Sequence, residues 1–285
     1  MKILFATDGS LGAQNARDFL DGLPFAPGTE LLVVSVMPGS LSEHETPPAD
    51  QLDEDRSWAD LAAYRLARAG LSTDSLSVRG HAAEQICRLA EEKAVDLVVV
   101  GSRGSSSLSR FILGSVSEQV VKHAAAPVLI VKKVARPIEK VMIGVDGSKD
   151  SNRAVAFLGS FPFPPETSVD AVHVIQVRPI VCGTAEGYYE TSEVSKAIES
   201  LRAAAEQEGK EVLKKASEVL ERSYRVETFI TEGAPASALV ELAGAGGADV
   251  LVVGSRGITG FERFLMGSVS TQAAVHAPCS VLVVR

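Results

Sequence analysis

Cysteine is scarce in this chain of 285 residues: Cys87, Cys182 and Cys279 are far apart and odd in number. No CxxC pair exists, which disfavours zinc ribbons, thioredoxin-type redox pairs and disulfide-stapled secreted scaffolds. Long apolar runs are also missing. The longest are around eight residues, against the roughly 20 that a membrane-spanning helix needs. Basic charge is not in excess either: 28 Lys and Arg against 36 Asp and Glu leave a formal net charge of -8. Nucleic-acid and membrane-surface binders normally present a basic face, so neither partner is expected. The opening MKILFATDGS carries an acid at Asp8 and shows no secretory leader. A cytoplasmic, reducing location is the expectation. No Cys/His/Asp cluster has metal-ligand spacing, and no metal site is expected.

What is present is a repeat. The length is about twice that of a usual domain, and the two halves match each other. Residues 3–10 read ILFATDGS and residues 141–148 read VMIGVDGS, an offset of 138. Residues 101–131 and 254–284, offset by 153, share 16 identities in 31 positions without a gap. The two offsets differ by 15, so the second copy carries about 15 extra residues, expected within about 178–200. Basic residues and Pro137 in KKVARPIEK mark the connector, giving domains 1–135 and 138–285. So short a connector implies that the copies pack on one another.

Each copy alternates apolar strands with helical patterns. In copy one, strand patterns fall at Ile3–Ala6, Leu31–Met37, Leu76–Val78, Asp96–Val100 and Val128–Val131. Copy two repeats them near Lys140–Val145, Val169–Gln176, Tyr224–Ile230, Asp249–Val253 and Ser280–Val284. Alternation of this kind means βαβ units and a parallel sheet. The near-continuous Val, Ile and Leu strands fit a sheet covered on both faces. The fold class expected is α/β: two repeated, doubly wound, open parallel-sheet domains of five strands each.

The residues with chemistry lie in the glycine-rich loop after the fourth strand. It reads Gly101-Ser102-Arg103-Gly104, nine residues, then Gly114-Ser115-Val116-Ser117 in copy one. Copy two reads Gly254-Ser255-Arg256-Gly257, nine residues, then Gly267-Ser268-Val269-Ser270. Glycines let backbone N–H groups approach an anion, and a helix opening at Gly114 or Gly267 would aim its free N–H groups at phosphate. Asp8 and Asp146 close the first strands and could reach the same crevice at the strands' carboxyl ends. The alternative is purely structural, with the glycines making a tight strand exit and Ser115 and Ser268 capping helices. The loops are neither Walker A nor GxGxxG motifs. Arg103 and Arg256 sit where they can neutralise phosphate, meet solvent or form a salt bridge across the domain interface. Arg110 and Arg263 read as surface or interface residues. His123 and His276 suit helix C-termini, and His173 suits a core or pocket rim. Cys87 and Cys279 read as buried small hydrophobes, Cys182 as the one exposed thiol. Tyr188-Tyr189 could cover a pocket or anchor a loop.

The GSRG-x9-GSVS loops after DLVVV and DVLVV, the opening strand with DGS, and the close HAPCSVLVV resemble the universal stress protein family, over nearly the whole chain. The resemblance implies an adenine nucleotide alpha hydrolase-like fold with strand order 3-2-1-4-5. It also implies ATP binding (with magnesium allowed), pairing of domains through their last strands, a homodimer as one possible assembly, and cytoplasmic stress physiology. Carried over by position, base or ribose contacts fall on Asp8, Val36, Asp146 and Val174. Phosphate contacts fall on Gly101, Arg103, Gly104, Gly114, Ser115, Val116 and Ser117 in copy one. In copy two they fall on Gly254, Arg256, Gly257, Gly267, Ser268, Val269 and Ser270. No catalytic residue is assigned, since no general base with an orienting partner is visible. Three readings follow: an ATP-binding regulatory protein, a slow ATPase or self-phosphorylating enzyme, and a nucleotide-free interaction protein.

Overall fold

A computed structural model describes residues 1–39, 49–67, 71–104, 113–133, 137–176, 183–184, 187–188, 192–257 and 266–285. Repeat one runs β1 Lys2–Ala6, α1 Leu11–Asp21, β2 Glu30–Met37, α2 Ala49–Ala67, β3 Ser72–Arg79, α3 Ala82–Glu92, β4 Leu97–Gly101, α4 Ser115–His123 and β5 Val128–Val131. Repeat two runs β6 Lys140–Gly144, α5 Lys149–Ser160, β7 Ser168–Ile175, a small hairpin of β8 Gly183–Thr184 and β9 Gly187–Tyr188, α6 Ser192–Leu220, β10 Arg225–Glu232, α7 Pro235–Ala245, β11 Val250–Gly254, α8 Ser268–His276 and β12 Ser280–Val284.

Ten strands form one sheet in the order β10-β7-β6-β11-β12-β5-β4-β1-β2-β3. Each half keeps the order 3-2-1-4-5, so the expected α/β class holds in both repeats. Within this sheet all pairings inside a repeat are parallel. The halves join where β12 meets β5 antiparallel, with Val281 opposite Ile130, Leu282 opposite Leu129 and Val283 opposite Val128. The last strand of each repeat would otherwise be an open edge with unpaired N–H and C=O groups. Here the two edges complete each other inside one chain.

Strand alternation explains the two cores. On β1, Ile3 and Phe5 face one side and Leu4 the other; on β4, Leu97 and Val99 oppose Val98 and Val100. The first face buries apolar residues of α1, α2, α5 and α6. The second buries those of α3, α4, α7 and α8. Both cores run through both repeats, so the junction is as buried as the domain centres. Leu129 and Leu282 there are fully buried.

One sequence expectation needs correction. The third strand was expected at Leu76–Val78 but extends over Ser72–Arg79, pairing with β2 along its whole length. Its polar start, Ser72-Thr73-Asp74-Ser75, masks it, because an outer strand is held by its backbone ladder and needs few apolar side chains. β10 is the matching outer strand and is also polar. Such residues discourage edge-to-edge association. The extra residues of repeat two fall essentially where expected, within about 178–200. α6 is 29 residues long and α2 is 19. The ends of both helices align at the offset of 153, so ten of the extra residues extend α6 at its start, as Ser192–Leu201.

Candidate functional site

In each repeat the turn after the first strand and the loop after the fourth strand are built onto one another. Ser10 and Ser148 are the N-caps of α1 and α5, accepting from the amides of Ala13 and Ser151. Capping of this kind stabilises a helix by about 1 kcal/mol. The same hydroxyls donate to the carbonyl oxygens of Arg103 and Arg256, 3.3 Å away in both repeats. The helix cap thereby holds the loop. Gly101 and Gly254 pass so close to the backbone of Gly12 and Asp150 that any Cβ would overlap it. Asp8 and Asp146 each accept, through Oδ1, from the amide two residues on at 3.0 Å. Their Oδ2 atoms would lie 2.7 Å from a Cβ on Gly104 and Gly257. The first-strand carboxylates and the glycine loops therefore meet at the carboxyl ends of the strands in both repeats.

The structural alternative for Ser115 and Ser268 does not hold. The N-caps of α4 and α8 are Gly114 and Gly267, and neither helix has a side-chain cap. Ser115 and Ser268 are the first helical residues and are exposed. Among the described residues, no side chain accepts from the opening N–H groups of either helix, at the positive end of the helix dipole. Ser117 and Ser270 are buried and bind the loop instead: Ser117 Oγ donates to Gly101 O at 2.6 Å and Ser270 Oγ to Ser255 O at 2.8 Å. The amides of Gly114 and Gly267 donate to Ser102 O and Ser255 O at 2.8 Å. These bonds set the distance between loop and helix, so Ser117 and Ser270 offer a ligand their backbone rather than their hydroxyls.

Repeat two opens a crevice of about 900 Å³ between these elements. Asp146, Val174, Gly254, Arg256, Gly257, Gly267, Ser268, Val269 and Ser270 all line it. Its size lies within the range of small-molecule and cofactor sites. Sequence reasoning missed several of its walls. Glu208 comes from α6, and Ala234 and Pro235 from the start of α7, whose Pro sits in the first helical turn. A proline there is a helix-start signal that could have been read; nothing in the sequence around Glu208 ties it to the loop. His173 is both core and rim: it lines the crevice and is buried, and its Nδ1–H donates to Val145 O at 2.8 Å. In repeat one, Asp8 is exposed and Val36 half-buried, while Trp58 of α2 packs over Gly9.

The repeats also exchange cations. Lys132 follows β5 and donates through Nζ to the carbonyls of Val275 and Ala277, at 3.1 and 2.8 Å, at the end of α8. Arg285 follows β12 and donates through Nη2 to Val121 and Lys122, at 2.6 and 2.8 Å, at the end of α4. A cation at a helix C-terminus is favourable, and each here comes from the other repeat. Burial is the main reason the Lys132 amine is pushed down to about 8; the nearby Arg103 adds to this and Cys279 opposes it. Cys279 is buried and its thiol is pushed up to about 11, chiefly by burial. Cys87 is half-buried and also raised by burial, so both behave as small core residues rather than reactive thiols. His123 and His276 are the exposed last residues of α4 and α8. Arg110, Arg263, Cys182 and Tyr189 lie outside the described residues, as do the side chain of Tyr188 and most of the nine-residue spacers. Among the described residues no His/Cys/Asp/Glu group could hold a metal, and no helix is long and apolar enough to cross a membrane.

A duplicated, doubly wound α/β fold with glycine loops at its switch points defines the class of protein. The universal stress protein family model matches residues 1–132 and again 137–285. The chain belongs to that family, as a tandem member. A universal stress protein of Methanocaldococcus jannaschii is 36% identical over 149 residues, 52% of this chain and 82% of that protein. One of Mycobacterium bovis is 27% identical over 243 residues, 83% of this chain and 73% of that protein. Among solved structures, a universal stress protein from Archaeoglobus fulgidus superposes with a TM-score of 0.66 at 20% identity, covering 100% of this chain and 98% of that one. That likeness concerns the fold.

Proposed function

We propose that each repeat binds one ATP, and that occupancy biases the packing of the two repeats or the choice of partner in a stress response. The domains would be 1–135 and 138–285. Convergence carries this reading: nine residues chosen from the loop pattern and its family resemblance line one crevice. Phosphates would sit on the amides of Gly101–Gly104 and on the start of α4 in repeat one. In repeat two they would sit on Gly254–Gly257 and the start of α8. The nucleoside would lie toward Asp8 and Val36, or Asp146 and Val174. Magnesium would arrive with the nucleotide. These donors are local, which is how an acidic chain can hold a polyanion against its long-range field.

The regulatory part of the proposal follows from α4 and α8. Each has its N-terminus at a site and its C-terminus held by a cation from the other repeat. A shift of either helix on ligand binding would act on the junction. Binding without turnover is the preferred reading. Among the described residues, the titratable groups of the crevice are Asp146, His173, Glu208 and Arg256, and the Nδ1–H of His173 is already committed to a carbonyl.

Calorimetric titration with millimolar ATP and magnesium tests the reading, with Gly114→Val and Gly267→Val as site-specific variants. Both substitutions press a branched side chain against the loop: even a Cβ would lie 3.3 Å from Ser102 O or Ser255 O. Each should remove one site and leave the other. Absence of heat and of any bound nucleotide in the parent chain would overturn it.

A further inference from the structure

The two loops match in sequence but not in what lies behind them. At the offset of 138, Gly12 of α1 corresponds to Asp150 of α5. Asp150 is 8% exposed, so its charge is held largely out of water. Its Oδ2 accepts from Ser255 Oγ at 2.7 Å and lies 3.6 Å from Nε of the loop arginine, Arg256. Its Oδ1 lies 3.2 Å from Arg153, an outer residue of the same helix. Ser255 is fully buried, and Nε of Arg256 is buried with Asp150 as its charge partner. Asp150 also attracts Arg285, which Arg256 repels.

Repeat one carries the same pair of cations near its loop, Arg103 and Lys132, which repel one another. There the facing position is Gly12, whose missing Cβ would strike the carbonyl oxygen of Arg103. No carboxylate can stand at that point unless the loop moves. The other charge differences are in water: Lys149 is exposed where repeat one has Leu11, Arg153, which reaches the Asp150 carboxylate, replaces Asn15 with about half its side chain exposed, and exposed Glu84 of repeat one stands where repeat two has Ser237. Charges in water are screened far more than a buried carboxylate in contact with the loop.

We infer that Asp150 is a specificity-determining residue that makes the second site favour nucleotides of low phosphate charge, such as monophosphates, while the first favours triphosphates. This inference rests on the proposal that both crevices hold nucleotides. It concerns which nucleotides each site prefers. A buried negative charge behind Arg256 lowers the potential met by every phosphate at that loop. Its effect grows with the number of phosphate charges, so it weighs on ATP more than on AMP. Repeat one lacks that carboxylate.

The test is a set of NMR titrations of the full chain with AMP, ADP and ATP in EDTA. The amides of Gly104 and Ser115 report the first site, those of Gly257 and Ser268 the second. The ATP-to-AMP affinity ratio should be at least roughly fivefold higher at the first site, the scale expected for one partly shielded charge several ångströms away. Asp150→Asn keeps an acceptor for Ser255 Oγ while removing the charge, and should raise the ratio at the second site toward that of the first. Equal ratios at the two sites of the parent chain would overturn the inference whether or not the variant folds. So would an unchanged ratio in a folded Asp150→Asn chain. If no nucleotide moves either set of amides, the binding proposal itself fails, and this inference with it.

Discussion

The two repeats share strand order, loop motif and helix caps, yet they differ in the environment of the loop. Repeat one sets Gly12 behind Arg103 and Trp58 over Gly9; repeat two sets Asp150 behind Arg256 and a longer α6 beside its crevice. The shared features are those that backbone geometry demands. A carbonyl acceptor for Ser10 or Ser148, and glycine at 101 or 254, are needed if loop and helix are to touch at all. The divergent features are side chains that the touching surfaces tolerate. Duplication has therefore preserved a cradle while leaving its charge free to change.

The largest predicted effect probes what the repeats have in common. Leu129 and Leu282 are equivalent residues that face each other across the junction. Replacing either with Ala should cost about 2–5 kcal/mol, with similar losses for both, read from urea unfolding. Markedly unequal costs would show that the junction is not a shared core. Next, Gly101→Ala and Gly254→Ala should each lower nucleotide affinity by more than about tenfold, and only in its own repeat. Forcing the loop off its helix displaces donors that need contact geometry, and equilibrium dialysis would read the loss. If each variant weakened both sites equally, the sites would be coupled far more strongly than the structure suggests.

Smaller effects sharpen the comparison at the crossed caps. Lys132→Met and Arg285→Met should each destabilise by about 1 kcal/mol or less, through lost helix-end contacts. The pH dependence should separate them. The amine of Lys132 falls to about 8 in the folded chain from an ordinary value near 10.5. Between these values the unfolded chain binds more protons, so this group makes stability rise with pH across that window. Below pH 8 its burial penalty is at full size. Chemical denaturation of the parent chain and Lys132→Met between pH 7 and 10.5 should show the parent gaining on the variant as pH rises. A constant difference would mean that Lys132 titrates normally.

Much of this was legible in the sequence, for reasons that differ by element. Strands such as Leu97–Gly101 and Val250–Gly254 are apolar on both faces because both are covered, and that pattern cannot be missed. β3 was cut short because Ser72-Thr73-Asp74-Ser75 has no apolar pattern; its place is set by the ladder to β2. The loop glycines could be read because they recur at fixed spacing. Asp150 could not, because a carboxylate in the first helical turn looks like a favourable dipole partner. Only the fold sets it against Ser255 and Arg256, 105 and 106 positions along the chain. Glu208 enters the crevice from α6 in the same way, through packing across long sequence separation.

The most direct test of the central claim is native mass spectrometry of the intact chain titrated with ATP. Two nucleotides should add to the parent chain, one to Gly114→Val or Gly267→Val, and none to the double variant. A chain that takes up no ATP, or a double variant that still takes up two, would contradict the account.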